Sequence, residues 1–211
     1  MRPLSLLGMS GVGKSHWAKK LEARGWLRID CDTEIARRLG ELLTIGEGEE
    51  PVHALGTWMG MPWTRGYRER EAAYLTLEEQ VTSDALDRAH TASSAGREVV
   101  VDCTGSVIYL PSSVLRRLEH ETHVVYLRTP DARREAMLAR YLAEPKPVVW
   151  GESFAPHDDE HEGRGLSRLY PELLRFRDTR YSALAVHTLD GGWLETAGDD
   201  EGLAAILERD A

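Results

Sequence analysis

The chain has 211 residues, of which 42% are hydrophobic and 29% are charged, and its formal net charge at pH 7 is −9. This length is sufficient for one α/β domain with a buried core. The acidic balance, with arginines scattered along the chain, excludes the basic face typical of nucleic-acid-binding domains and favours a small molecule as the partner.

Apolar runs and their periodicity alternate between strands and helices in the first part of the chain. A strand over residues 3–7 precedes a helix over residues 14–24, and a strand over residues 26–29 precedes a short helix over residues 33–39. Residues 43–66 have no clear period and are predicted to be irregular. Their large apolar side chains either line a substrate pocket or form a small satellite core. These side chains are Trp58, Met59, Met61 and Trp63.

The alternation continues to the end of the chain. The further elements are a long helix over 67–92, a strand over 98–102, a helix over 111–119, a strand over 122–127, a helix over 130–142, a polar segment over 143–165, a helix over 166–182, a strand over 185–189 and a helix over 199–209. Strands separated by helices imply a parallel sheet covered on both faces. Ligands of such sheets bind at the carboxyl ends of the strands. With no internal repeat, residues 1–211 are predicted to form a single domain.

Cysteine usage and hydropathy indicate the cellular compartment of the protein. The two cysteines, Cys31 and Cys103, are too few for a disulfide framework and suit a reducing cytoplasm. No apolar run approaches membrane-spanning length, and the N-terminal residues lead into a strand without a signal-peptide pattern. We expect a cytoplasmic protein that binds neither membrane nor nucleic acid, as a monomer or a homodimer.

Residues 8–15, Gly-Met-Ser-Gly-Val-Gly-Lys-Ser, form the most informative motif. They fit the pattern G-x-x-x-x-G-K-[ST] between a predicted strand and a predicted helix, in which backbone N–H groups and the helix N-terminus surround a phosphate. Lys14 would reach the outer phosphates, and the Ser15 hydroxyl would hold Mg²⁺. The alternative is a glycine-rich turn with an incidental lysine. The residues predicted to bind ATP are Gly8, Gly11, Val12, Gly13, Lys14, Ser15 and His16.

Two carboxylates follow the second strand, at Asp30 and Asp32. One of them can hold a Mg²⁺-bound water, and the other can accept a proton from a substrate hydroxyl. Asp32 also stands where a helix N-cap is expected, before Thr33, and aspartate is a favoured cap. The two roles can coexist.

The third strand ends in Asp102 and is followed by Thr104, Gly105 and Ser106. An aspartate at this position of P-loop enzymes commonly orients Mg²⁺ through water. Thr104 and Gly105 offer a hydroxyl and a backbone N–H to a substrate. The alternative is a turn in which Asp102 bonds to the backbone.

The polar segment over residues 143–165 contains Lys146. A cation above the phosphates would stabilise charge during transfer and exclude water. The same segment carries many acidic residues, so a solvated loop is the alternative. The run of histidines and acids over residues 157–161 lacks helical histidine spacing and is predicted to be solvated.

The order of these motifs resembles the shikimate kinase family, within the nucleoside-monophosphate-kinase-like P-loop fold. Besides the phosphate loop, the segments that carry the resemblance are the D-x-D strand end with its helix over 28–40, a helix over 69–78 similar to E-x-x-F-R-x-x-E, the strand over 125–127 with the helix to Arg140, Lys146-Pro147, and an R-x-x-x-Y helix over 177–181.

The resemblance implies a five-stranded parallel sheet with helices on both faces, a substrate-binding insert at about residues 33–92 and a lid at about residues 143–165. It implies ATP- and Mg²⁺-dependent transfer of the γ-phosphoryl group to a hydroxyl of a small metabolite. The residue roles that it implies are Mg²⁺ assistance for Asp30, substrate binding and proton acceptance for Asp32, adenine stacking for Arg140, the lid cation for Lys146, and binding of a substrate carboxylate or neighbouring polar group for Arg177.

The chain departs from that family at the acceptor site. Leu75 stands where the family has its substrate arginine, and residues 104–106 replace a triple glycine. Because a hydrophobic side chain cannot replace a bidentate carboxylate clamp, either Arg65, Arg68 or Arg70 reaches in or the acceptor is not shikimate. We favour an altered acceptor. A nucleoside, nucleotide or gluconate-type kinase and an ATP-dependent switch protein remain as alternatives.

Overall fold

The computed structural model describes residues 2–43, 51–143, 148–155 and 162–208. Within them, five strands form one parallel sheet in the order β2-β3-β1-β4-β5. The strands are β1 (Leu4–Leu7), β2 (Leu27–Asp30), β3 (Val99–Asp102), β4 (His123–Arg128) and β5 (His187–Asp190). The predicted α/β fold with a five-stranded parallel sheet is confirmed.

Helices cover both faces of the sheet. They are α1 (Lys14–Ala23), α2 (Cys31–Leu39), α3 (Pro51–Met59), α4 (Tyr67–Ser94), α5 (Ser112–Glu121), α6 (Arg134–Ala143), α7 (Glu162–Leu184), α8 (Gly191–Thr196) and α9 (Asp199–Leu207). Among the described residues, none of these helices combines the length and the apolarity needed to cross a membrane.

Two strands end in an aspartate that caps the helix following it directly. The Asp30 carboxylate accepts from the backbone N of Thr33 at 3.0 Å, and the Asp190 carboxylate accepts from the backbone N of Trp193 at 2.8 Å. Each cap satisfies a backbone donor that the first turn of a helix leaves without a partner. The sequence thus turns from strand to helix within one residue at both places.

Two predictions about the chain were wrong. Residues 51–59 form α3 instead of irregular structure, and α8 follows β5 where no helix was predicted. Packing stabilises α3, because Leu55 and Met59 are fully buried in the core. Helix α8 begins with two glycines, which are poor helix formers, and depends on its aspartate cap.

Apolar side chains fill both faces of the sheet. Helices α2, α4, α5 and α7 cover the face that carries Ile29 and Tyr126, whereas α1 and α9 cover the face that carries Leu6 and Val100. Of the side chains in the stretch predicted to be irregular, Met59 lies in the first of these cores, and Trp58, Met61 and Trp63 pack against it.

Helix α9 packs against the phosphate-loop helix α1 at a position with no space for a side chain. A Cβ atom at Gly202 would lie 2.1 Å from Cη2 of Trp17. The indole ring of Trp17 therefore rests on the bare backbone of α9.

Residues 148–150, which belong to the segment predicted to be polar, are buried in the core, with Val149 and Trp150 fully inaccessible. Glu71 of α4 binds this segment. Its Oε1 accepts from the backbone N of Trp150 at 2.7 Å and of Gly151 at 2.9 Å. A buried carboxylate thereby fixes the chain at the point where it returns to the core.

We expect Glu71→Ala to lower the free energy of unfolding by about 2 to 4 kcal/mol, because it removes the buried carboxylate that two backbone N–H groups and the Tyr67 hydroxyl bind. Urea denaturation followed by circular dichroism measures the change. Glu69→Ala, an exposed change on the same helix, serves as the control and is expected to cost less than about 1 kcal/mol. Equal losses in the two variants would contradict the assigned role of Glu71.

Candidate functional site

The phosphate-binding loop joins β1 directly to α1. Gly13 precedes the helix with φ of 103°, a left-handed conformation that favours glycine. A Cβ atom at Gly8 would lie 2.6 Å from the carbonyl oxygen of Leu127. The backbone can adopt this tight path past β4 only without side chains at these positions, and it leaves the cradle that a phosphate requires.

The Lys14 ammonium lies over the loop that it belongs to. Its Nζ donates to the backbone carbonyl of Gly8 at 2.9 Å and to that of Met9 at 3.2 Å, and the residue is only 7% exposed. Both partners are neutral carbonyl groups. The positive charge is therefore held in place over the loop, where it can attract an anion.

A cavity of about 340 Å³ extends from the loop. Lys14 lines one end, whereas Asp32, Tyr74, Ser106 and Arg177 line another part of the same cavity. The other predicted site residues in its lining are Gly11, Val12 and Gly105. One continuous space thus connects the loop lysine with a carboxylate and with buried hydrogen-bonding groups.

Asp32 is the second residue of α2, and the cap of that helix is Asp30. The helix-cap role that the sequence allowed for Asp32 therefore belongs to Asp30. Asp32 lies in the lining of the cavity.

The two aspartates predicted for the metal share an arginine. Asp30 and Asp102 stand opposite each other in neighbouring strands, and Nη2 of Arg28 lies 2.5 Å from Oδ2 of Asp30 and 2.9 Å from Oδ2 of Asp102. Burial lowers the pKa of Arg28, but the hydrogen bond to Asp102 and the charge of Asp30 outweigh it and raise the pKa overall. The guanidinium is charged and pairs with both carboxylates.

This ion pairing limits which residues can bind the Mg²⁺ ion that the fold implies. Asp30 and Asp102 already share a cation, so they do not fit as direct ligands of the metal. Ser15, in the first turn of α1, is exposed and fits as the hydroxyl ligand. Across the described ranges, no group of three or more His, Cys, Asp or Glu residues could hold a metal ion. The run over residues 157–161 lies outside those ranges.

A network of buried hydrogen-bonding groups extends from the cavity wall into the core. Thr104 Oγ1 donates to Glu78 Oε1 and lies 3.4 Å from Ser106 Oγ, which donates to the Tyr74 hydroxyl at 3.3 Å. Burial raises the pKa of Glu78 to about 7, although the hydrogen bonds from Thr104 and Ser106 lower it. This carboxyl group changes its charge near neutral pH.

Arg177 lines the cavity next to these buried hydrogen-bonding groups and is only 6% exposed. Its Nη2 donates to the carbonyl of Val149 at 2.8 Å, and its guanidinium lies over the Tyr109 ring at 5.5 Å from the centroid. Burial lowers the pKa of Arg177, but the neighbouring Tyr181 and Tyr109 raise it above its ordinary value. The arginine is charged.

Gly105 connects the two ends of the cavity. A Cβ atom at this residue would lie 3.5 Å from the backbone N of Ser10 and 3.8 Å from Nη1 of Arg177. The turn after β3 therefore approaches the phosphate loop and the buried arginine at the same time.

Several predicted site residues lie elsewhere. Arg68 is not in the lining of the cavity, because its Nη1 binds the carbonyl of Gly151 and lies 3.1 Å from Oε2 of Glu71. Thr104 lies behind the lining, and the exposed His16 makes an edge contact with Trp17. Lys146 and the side chain of Arg140 lie outside the described part of the chain.

The sequence of residues 4–149 matches the family model described as AAA domain. The chain belongs to the AAA domain family. No curated protein matches this AAA-domain chain.

Solved structures share the fold. Shikimate kinase from Acinetobacter baumannii in complex with shikimate matches with a TM-score of 0.59 and 22% identity over 90% of this chain and 83% of that chain. Shikimate kinase from Bacteroides thetaiotaomicron gives 0.58 and 16%, over 98% and 95%. Dephospho-CoA kinase from Campylobacter jejuni gives 0.50 and 12%, over 98% and 94%. These likenesses confirm, at the level of the fold, the resemblance that the motifs indicated.

Sequence reasoning missed two cavity residues of this AAA-domain chain, Arg133 and Glu195. The two side chains form a two-pronged ion pair in the cavity lining, near Pro130 and Gly191. Arg133 closely follows β4, at the sheet edge where ligands bind, and that position was a signal for it. Glu195 lies in α8, whose existence was not predicted.

The role of Glu78 was also missed, and a pattern could have revealed it. Glu71, Tyr74 and Glu78 recur at spacings of three and four residues in α4 and are all buried. A buried face that contains two carboxylates indicates a site or an anchored segment, because charged groups are costly to bury without partners.

The raised pKa of Glu78 has a consequence for stability. The folded state binds a proton at Glu78 up to about pH 7, whereas the unfolded chain releases it near the ordinary value of 4.5. Because the folded state binds more protons between these values, stability falls as the pH rises from about 4.5 to 7. The loss attributable to Glu78 amounts to about 3 kcal/mol.

We expect Glu78→Gln to remove this part of the pH dependence. Urea denaturation at several pH values between 4 and 8 measures it, with Glu79→Gln as a control that makes the same chemical change one residue away. A slope that is the same in Glu78→Gln and in the unaltered protein would contradict the assignment.

Proposed function

We propose that the chain is a kinase that transfers the γ-phosphoryl group of ATP to a hydroxyl group of a small metabolite in the cytoplasm. The observation that carries the proposal is the single cavity that connects Lys14 of the phosphate loop with the Asp32 carboxylate. The fold supports it, because solved structures with the same fold are named shikimate kinase and dephospho-CoA kinase.

On the donor side, the loop backbone binds the phosphates and Lys14 contacts their outer oxygens. Ser15 holds Mg²⁺, which when bound neutralises phosphate charge. Asp30 and Asp102, which both pair with Arg28, act on the metal only through water. We assign adenine stacking to Arg140 and covering of the phosphates to Lys146.

We place the adenine of ATP in the part of the cavity beside the phosphate-binding loop. Val12, Pro130 and Gly191 line the cavity there, with the Arg133–Glu195 pair beside them. A Cβ atom at Gly191 would lie 2.8 Å from the carbonyl oxygen of Arg128. The absence of a side chain at this position gives a planar base access to the wall.

On the acceptor side, Asp32 accepts the proton of the substrate hydroxyl as its oxygen attacks the γ-phosphorus in line. Gly105 and Arg177 position the acceptor, Thr104 supports them from behind, and residues 33–92 act as the substrate-binding insert. Residues 143–165 act as the lid, and Glu71 binds Trp150 and Gly151 of this range. Arg68 contributes through its bond to Gly151 in the same range.

The nucleoside-kinase alternative needs aromatic side chains of residues 43–66 in the acceptor pocket. Trp58 and Trp63 pack against the core instead and do not line the cavity. The described part of the insert therefore favours a smaller acceptor.

The test is acceptor-dependent formation of ADP. The protein is incubated with ATP, Mg²⁺ and a panel of shikimate, gluconate, neutral sugars and polyols, nucleosides and nucleoside monophosphates, and products are identified by mass spectrometry. A phosphorylated product with equimolar ADP supports the proposal. Tight ATP binding in a thermal-shift assay without transfer to any acceptor would favour a nucleotide-dependent switch.

A further inference from the structure

We propose that the acceptor end of the cavity binds a neutral polyhydroxylated compound, such as a sugar, a cyclitol or a sugar alcohol, and that Ser106 and Tyr74 are the residues that determine this specificity. The inference rests on the proposed function and names the chemical class of its substrate.

The wall of the acceptor end is rich in hydroxyl groups. Ser106 and Tyr74 line the cavity together with Asp32, and both are at least 95% buried. Their hydroxyl groups lie 3.3 Å apart, and Ser106 Oγ lies 3.4 Å from the hydroxyl of Thr104 behind it. Each hydroxyl both donates and accepts hydrogen bonds. The wall therefore matches a ligand that presents several hydroxyl groups.

The charge of the cavity also favours a neutral ligand. The cations among the described residues of its lining are Lys14, Arg133 and Arg177. Lys14 belongs to the phosphate loop and Arg133 is paired with Glu195. Arg177 is the remaining cation at the acceptor end.

The Arg177 guanidinium is already engaged there. Its Nη2 is bonded to the carbonyl of Val149, and its positive charge acts on the buried carboxyl of Glu78. Asp32 adds a negative charge to the same compartment. Leu75, next to Tyr74, is half-buried and packs against the core, so it brings no charge. A substrate carboxylate would therefore share Arg177 with Glu78 and Asp32, and burying such a charge is more costly than burying a hydroxyl.

Two buried groups of the site each have a hydrogen bond left unmade. In the described structure, these are Glu78 Oε2 and Arg177 Nε. Arg177 lines the cavity, whereas Glu78 lies behind the lining. A ligand hydroxyl that holds a water can satisfy a donor and an acceptor together, whereas a carboxylate only accepts. The unmade bonds therefore match a hydroxyl-bearing ligand.

The test uses pairs of acceptors that differ only in one carboxylate. The pairs are sorbitol with gluconate, glucose with glucuronate, and methyl shikimate with shikimate. We expect kcat/KM for at least one neutral member to exceed that of its acidic partner tenfold or more. A higher kcat/KM for the acids in every pair overturns the inference and leaves the kinase proposal intact.

Binding is measured separately, by calorimetry with a non-hydrolysable ATP analogue and Mg²⁺. If no compound in the panel is phosphorylated, the proposed function fails, and the binding results still decide the inference. Tighter binding of a neutral member supports it. Tighter binding of the acids, or no binding of any compound, overturns it.

Substitutions test whether Ser106 and Tyr74 determine the specificity. We expect Ser106→Ala and Tyr74→Phe each to raise KM for the neutral acceptor about tenfold with KM for ATP unchanged. Ser112→Ala, an exposed change at the start of α5, is the control. Circular dichroism confirms folding. An unchanged ratio of neutral to acidic kcat/KM in Ser106→Ala and Tyr74→Phe would overturn their role.

Discussion

Lys14→Ala is expected to lower kcat of the proposed kinase by about 1,000-fold. The ammonium lies over the loop between the carbonyls of Gly8 and Met9, so a phosphate in the cradle gains a charge-assisted contact that strengthens as negative charge shifts in the transition state. Loss of one such contact in a water-excluded site costs two to three orders of magnitude in rate. The measurement is ADP formation with the acceptor that the panel identifies.

The substitution also removes two hydrogen bonds from the folded protein, which costs about 1 to 3 kcal/mol. Lys14→Met, which keeps most of the side-chain length, and a thermal melt separate this loss from the loss of rate. Lys19→Ala, an exposed change on the same helix, is the control and should retain full activity. Full activity in both Lys14 variants would show that the loop does not bind the transferred phosphate.

Asp32→Asn should lower kcat by about 10²- to 10⁴-fold, the range typical of a lost general base, with the affinity for ATP unchanged. The amide has nearly the same shape as the carboxylate and cannot take the hydroxyl proton. Because Asp30, and not Asp32, caps α2, the helix should keep its cap. ADP formation gives the rate, and calorimetry gives the nucleotide affinity.

The comparison for this variant is Asp87→Asn, which changes an exposed residue of α4 and should leave both quantities as they are. If Asp32→Asn retains kcat, the carboxylate is not the base. If it loses ATP binding together with activity, Asp32 acts on the donor side of the cavity.

The parts of the fold that could be predicted depend on local patterns. Long apolar periods located the strands and α4, and the phosphate motif located the first turn of α1. Helices α3 and α8 were missed because tertiary packing and a single cap stabilise them. In α3, Leu55 and Met59 are buried against other elements, and in α8 the Asp190 cap outweighs two glycines.

The site residues that could be predicted are likewise those that belong to local motifs. Lys14 and Asp32 belong to short motifs, and the structure places both in one cavity. The contact of Arg28 with Asp102 depends on the register that pairs β2 with β3, which the sequence of either strand does not contain. The links from Glu78 to Thr104 and from Arg133 to Glu195 join residues far apart in the chain, so only the folded structure reveals them.

The contact between Gly202 and Trp17 ties the end of the described chain to the start of the site. The ring of Trp17 belongs to the helix whose first turn is the phosphate loop, and it rests on the backbone of α9. We expect loop occupancy and α9 docking to be linked equilibria, in which each favours the other by the same free energy. Ligand binding should slow amide hydrogen exchange in α9, and a change that loosens α9 should weaken ligand binding by the matching factor.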